Sequence, residues 1–330
     1  MAAVLLSGCQ KGDPRAPFTD SRPPPGVQSR FYAPDGWAWG LVQPDGVPPA
    51  RYGVSAPSSV QRADLLILTS YGEPAEVWFE TARALNAEGY VVWVLEPVGQ
   101  GGSGRYSRLR DLGYAESLQP DVLAALLMAE RVVHRRPLIL MASGTSAPVA
   151  IQALAAGAPA EGLILISPRL AGDPPQVLGQ ARWMQAQSFG WLRADWHGGW
   201  SRQEPDDRAL GLTHDAARGQ VRLAWQAANP ELRMGSPSWS WIVAFSDAAR
   251  AAQSVEQAVR QPVLVLQADG GVCKRLTHCT LQTFAGAGPA LQLEADGVRG
   301  PWLKALDAFM ERSVADFSPP PTGSRVPAKG

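Results

Sequence analysis

The stretch LILMASGTSAPVAIQAL (residues 138–154) joins a continuous apolar run, a turn of small residues and a second apolar segment at helical spacing. Four consecutive apolar residues without alternation fit a strand covered on both faces. Pro148 suits the first turn of a helix, where its missing amide hydrogen leaves no bond unmade. A strand that turns directly into a helix holds its apex residue above the carboxyl edge of a sheet. When that apex carries a nucleophile, small residues flank it, as in G-x-S-x-G. Ala142, Ser143, Gly144, Thr145 and Ser146 supply the small residues, yet the apex is Gly144. Two readings follow: a serine site in a shifted register, or a serine site without its serine.

Around this unit strands and helices alternate, the pattern of an α/β chain whose mostly parallel sheet carries helices on both faces. LLILT (65–69), YVVWVLE (90–96), LILI (163–166), PVLVLQA (262–268) and CTLQTF (279–284) are the other core strands. WAWGLVQ (37–43) and RYGVSA (51–56) form an opening antiparallel pair, with Asp35-Gly36 and Asp45-Gly46 as turns. Helices are expected from about Pro74 to Gly89, over 119–134, and from Pro301 with Trp302, Leu306 and Phe309 on one stripe. From Ser167 to about Arg260 no strand is evident, and seven of the twelve tryptophans fall between Trp183 and Trp241. That block reads as a helical cap, whose aromatics either line an apolar pocket or build the cap's own small core.

With 330 residues, 45% hydrophobic and 18% charged, the chain suits one large domain with an insertion. Thirty basic residues balance thirty acidic ones, so no charge excess argues for nucleic acid. No apolar run approaches the ~20 residues of a spanning helix. The opening MAAVLLSGCQ carries Leu6-Ser7-Gly8-Cys9, similar to a bacterial lipobox, in which the cysteine becomes lipidated. Its lead is shorter than a secretory signal and lacks a basic start. The organisation expected is a truncated lipoprotein signal over 1–9, a disordered tether over 10–29, a domain over 30–313 with its cap at about 168–255, and a disordered tail over 314–330. Cys273 and Cys279 would form a small-loop disulfide in an exported chain and remain thiols in a cytosolic one.

VVWVLEPVGQGGSGR contains Gly99-x-Gly101-x-x-Gly104 after a strand, formally a dinucleotide fingerprint. That fingerprint needs a helix opening on the glycines, and here the next periodic helix waits until about Pro120. No nicotinamide or flavin cofactor is inferred, and no metal site.

LEPVGQGGSGR instead resembles the D-x-x-G-x-G-x-S turn of α/β-hydrolases. YGEPAEVWFETARALNAEGYVVWVLE resembles the strand–loop–helix–strand unit of their bacterial lysophospholipase and monoacylglycerol lipase branch. AANPELRMGSPSWSWI (227–242) resembles that branch's cap signature, and HCTLQTFAGAGPALQLEADGVRGPWLKALDAFMER its C-terminal segment. The resemblance spans roughly residues 30–313 and implies an α/β-hydrolase fold with a helical cap.

Residue by residue, it also implies lost chemistry. Acyl transfer needs a nucleophile, a base, an acid to orient the base and amides for the oxyanion. Against the family's G-H-S-x-G-G, Gly144 takes the nucleophile's place. Against G-A-x-H-E-L, Pro289 takes the histidine's, and against Q-A-G-x-D, Gly271 takes the acid's. Ser146 is the fallback nucleophile and Asp269 the fallback acid, although helix capping and an Asp-Gly turn are their ordinary roles. The resemblance puts the oxyanion amides at Glu73 and Thr145. The reading is a lipase-like pseudoenzyme, lipid-anchored in the bacterial envelope through Cys9, that binds an acyl-chain-like ligand or a partner. The alternative is an active carboxylic-ester hydrolase using Ser146.

Overall fold

In the computed structural model, residues 13–132, 135–194, 211–270 and 273–318 are described. Cys9, Gly271, His134, His197 and most of the expected tail lie outside them. One eight-stranded sheet organises these residues in the order β1-β2-β4-β3-β5-β6-β7-β8. The strands are β1 Ala38–Val42, β2 Ala50–Ser55, β3 Ala63–Leu68, β4 Tyr90–Leu95, β5 Leu138–Ser143, β6 Gly162–Ile166, β7 Val263–Gln267 and β8 Cys279–Thr283. The first two ladders are antiparallel and every pairing from β4 onward is parallel. All residues of β3, β5, β6 and β7 are buried, which is why those strands read as unbroken apolar runs.

Helices α1 (Phe79–Ala87), α2 (Gln119–Val132), α3 (Ala147–Ala155) and α7 (Asp296–Asp316) flank the sheet. One core lies between the sheet and α2 and α3, and a second packs Trp78, Leu85, Trp302, Leu306 and Phe309 against the other face. The last helix begins at Asp296 rather than at Pro301, which sits inside it, and continues past residue 313 to Asp316.

Three α-helices among the described residues fall in the expected cap: α4 Pro175–Ala186, α5 Ala216–Ala228 and α6 Trp239–Val255. The last is a correction to the cap's boundary. Ile242, Phe245, Ala248 and Ala252 of α6 belong to the core that holds α3, so this helix is the crossover between β6 and β7. The cap tryptophans divide. Trp225 is buried against Phe31 and Phe79, Trp241 lines a cleft, and Trp183 and Trp191 face solvent. Trp196 and Trp200 lie outside the described residues.

The expected tether is also corrected. From Asp13 onward it is a strap bound along the body. The Phe18 amide donates to Gly102 O at 2.7 Å, and the Arg105 amide to Arg15 O at 2.9 Å. Further on, the Arg22 amide donates to Asn229 Oδ1 at 2.7 Å, while Asn229 Nδ2 returns a bond to Arg22 O at 2.9 Å. Prolines 23–25 fit this role because an extended strap needs few amide donors of its own. Cys273 and Cys279 are joined in a disulfide with Cα atoms 5.4 Å apart.

Candidate functional site

The apex of the opening stretch lies where β5 ends. Gly144 adopts φ +49°, a left-handed conformation, and Gly144–Ser146 form a 3₁₀ turn into α3. Glycine therefore stands at the apex of the strand–turn–helix unit. A Cβ built on Gly144 would lie 2.5 Å from Ser70 Oγ. The space beside a nucleophile's Cβ is held by the hydroxyl of a neighbouring loop.

That loop, residues 69–74, leaves β3 beside the elbow. Thr145 donates its amide to Ser70 Oγ at 3.2 Å, and Tyr71 donates its amide to Thr145 Oγ1 at 2.9 Å. The two hydroxyls are 3.1 Å apart. Two backbone amides thus lie beside the elbow, and each already has a side-chain oxygen as its acceptor. The amide that meets the Thr145 side chain is that of Tyr71, and not that of Glu73, which was expected beside Thr145. The Glu73 amide donates to Ser70 O at 3.1 Å inside the loop's own turn, because Gly72 at φ +64° folds the chain back there.

The Glu73 side chain contributes more than its amide. Its carboxylate accepts from the Ser70 amide at 2.8 Å and from Gln292 Nε2 at 2.6 Å. Burial holds this carboxyl above the usual range, opposed by the Ser70 amide and by the charge of Arg222. Sequence reading overlooked this cluster, since no motif marks a glutamate whose partner is 219 residues distant.

The other candidate positions lie apart. Ser146 donates its hydroxyl to Thr69 O at 2.5 Å and faces a small cavity behind the elbow, beside Glu96 and Asp121. Asp269 is exposed in an Asp-Gly turn, with Gly270 at φ +89° and Asp269 O accepting from Gln267 Nε2 at 2.6 Å. Pro289 does line the cleft. Of the two described histidines, His278 is exposed at the entrance to β8, and His214 is 68% exposed and bonded to Glu294 at 3.0 Å. Neither lines the cleft. Burial would raise the Glu294 carboxyl, but bonds from Gly288 and His214 outweigh it and hold it below the usual range.

The cleft has two adjoining chambers that share Tyr71 and Arg222. One, of about 120 Å³, holds Glu73, Ser143, Gly144, Pro289 and Gln292 under Val77, Leu212 and Leu293. The other, of about 220 Å³, lies between Arg169, Met234, Pro237, Trp241 and Ile242. The Tyr71 ring packs edge-on against Trp241, 4.6 Å between centroids, and its hydroxyl donates to Gly235 O. Among the described residues no cluster of His, Cys, Asp and Glu fits a metal ion.

The glycine-rich loop after β4 serves packing. A Cβ on Gly101 would strike Glu96 and one on Gly102 would strike Arg51. Beneath them Arg51, wholly buried, pairs with Glu76 at 2.9 Å and Glu96 at 2.6 Å. The glycines let backbone lie directly on that ionic cluster, and the loop never becomes the helix N-terminus a dinucleotide needs.

The family model for serine aminopeptidase, S33, matches residues 59–273, more than half of the chain. The chain belongs to this family of α/β-hydrolases. No curated protein matches at a significant level. Among solved structures, a soluble variant of monoglyceride lipase from Saccharomyces cerevisiae is 16% identical, with TM-score 0.63 over 83% of this chain and 96% of that one. A thermostable carboxyl esterase from Bacillus coagulans is 14% identical, with TM-score 0.65 over 84% and 99%. A monoacylglycerol lipase from Paleococcus ferrophilus is 15% identical, with TM-score 0.57 over 79% and 98%. At these identities the likeness establishes the fold, which is lipase- and esterase-like.

Proposed function

We propose that this chain is a non-catalytic member of its family, anchored in the bacterial envelope through Cys9, whose cleft binds an acyl-chain-like ligand. One observation carries the reading: at the elbow Gly144 has no side chain to attack with, and the adjacent amides are already bonded to Ser70 and Thr145. A base brought to Pro289 would still find no hydroxyl at the apex. The apolar side chains of the smaller chamber, and Trp241, Ile242 and Met234 in the larger, support a hydrocarbon chain, and Arg169 and Arg222 beside them suit a polar head.

A fluorophosphonate probe tests the catalytic half. No stoichiometric adduct is expected. An adduct lost in Ser146→Ala would establish the alternative, an active ester hydrolase using Ser146. Displacement of a fluorescent fatty acid tests the binding half. Saturable binding abolished by Ile242→Trp, which fills the larger chamber, is expected, and equal binding by both proteins would refute the cleft as the site.

A further inference from the structure

Large aromatic side chains left in water close together are uncommon on a protein surface and mark a contact. Trp183, Phe189 and Trp191 are 59%, 48% and 52% exposed. They gather at the C-terminal end of α4, where the Phe189 amide bonds to Met184 O and the Leu192 amide to Phe189 O. The chain there is pinned rather than loose, so the aromatics project from a fixed corner.

This corner is tied to the start of the strap. Arg193 pairs with Asp111 at 2.6 Å. The neighbouring Arg110 donates to Pro14 O at 2.9 Å and to Ala16 O at 2.7 Å. Leu109, 53% exposed, stands on the same loop. That loop follows the carboxyl end of β4, as α4 follows that of β6, so these groups lie at the end of the sheet that holds the cleft. Cys9 precedes Asp13 by four residues, a reach of at most about 14 Å.

We propose that Trp183, Phe189, Trp191 and Leu109 insert into the interfacial layer of a lipid bilayer and turn the cleft end of the sheet toward it. The choice of a bilayer rests on the reading of Cys9 as a lipid anchor, because a lipid there brings the membrane within that short reach of Asp13. Tryptophan favours this layer, where its ring meets hydrocarbon and its N–H stays wet. All four inserting side chains are uncharged, so the contact is apolar in character and salt should leave it largely unchanged.

Of the three cysteines, Cys273 and Cys279 are bonded to each other, leaving the Cys9 thiol for selective coupling to a maleimide lipid. The full chain is coupled in this way to vesicles of phosphatidylethanolamine and phosphatidylglycerol with brominated acyl chains. Quenching of tryptophan emission is expected, and it should fall in Trp183→Ser/Trp191→Ser. Val60→Ser, at a site 84% exposed before β3 at the other end of the sheet, should leave it intact. Without tethering, the Cys9→Ser chain should float with the vesicles at high and low salt alike. The triple change to serine at 183, 189 and 191 should weaken this at least about tenfold, while Trp191→Tyr retains it and separates loss of the aromatic from misfolding. Equal quenching in the wild type and the double variant, or flotation that salt abolishes, would overturn the proposal. The mass of chain extracted from envelopes reads Cys9 acylation separately. An unmodified Cys9 removes the anchor, and the tethered quenching still decides the patch.

Discussion

Restoring a side chain at Gly144 tests the central geometry. Substituting alanine there places a Cβ on a residue at φ +49° and 2.5 Å from Ser70 Oγ. The left-handed backbone alone costs about 1–2 kcal/mol for a residue with a Cβ. Ser70 Cβ, 3.3 Å away, leaves little room, so the hydroxyl must rotate and abandon the Thr145 amide. Losing that bond adds about 1 kcal/mol, giving about 2–3 kcal/mol in all. In a Ser70→Gly background the overlap is gone and only the backbone cost remains. Urea unfolding of the wild type, both single variants and the double variant closes a cycle with an expected coupling of about 1 kcal/mol. The reasoning fails if Gly144→Ala lies within about 0.5 kcal/mol of wild type, or costs the same in both backgrounds.

Other perturbations probe separate elements. Arg51→Met leaves Glu76 and Glu96 buried without their cation and should destabilise by about 3–5 kcal/mol at neutral pH, read by thermal or urea unfolding. Burial pushes the Asp121 carboxyl up to about 7, from an ordinary value near 4. Its contribution is present below about pH 4 and lost as pH rises through about 7, so Asp121→Asn should gain on wild type between those limits, by up to about 4 kcal/mol; a parallel pair of pH–stability curves would refute this. Replacing Cys273 and Cys279 together with serine opens a short loop and should cost about 2 kcal/mol, with the same loss on reduction of the wild type. Asn229→Ala removes both bonds to Arg22, and limited proteolysis should then cut the strap ahead of the body.

Much of this architecture was legible because the central strands are short apolar runs between helices, and burial on both faces demands that pattern. The elbow was legible from local spacing too, since a strand, a turn of small residues and Pro148 fix its register. What stayed hidden depends on contacts distant in sequence. The strap reads as a linker by composition, yet Arg105, Arg110 and Asn229 hold it through its carbonyls and amides, which any residue supplies. The choice between Tyr71 and Glu73 at the paired amides depends on how Gly72 folds the loop. Helix α6 reads as cap because its tryptophans continue a tryptophan-rich block, and its burial on α3 shows only in three dimensions. The Gly99–Gly104 run is ambiguous in sequence because glycine is needed wherever backbone lies close, whether on a phosphate or on the Arg51 cluster.

The strap has a consequence for how the cleft could open. It lies on the Gly102–Arg105 loop at one end and on the end of α5 at the other, where Arg22 is bonded to Ala228 and Asn229. Arg222 of the same helix lines both chambers. For α5 to lift away from the body, those bonds must open together, so this wall of the cleft is latched by the chain's own beginning. Under the binding proposed above, release of a ligand past α5 would wait on fraying of this N-terminal segment as well as on opening of the Arg218 pairs with Glu80 and Asp296.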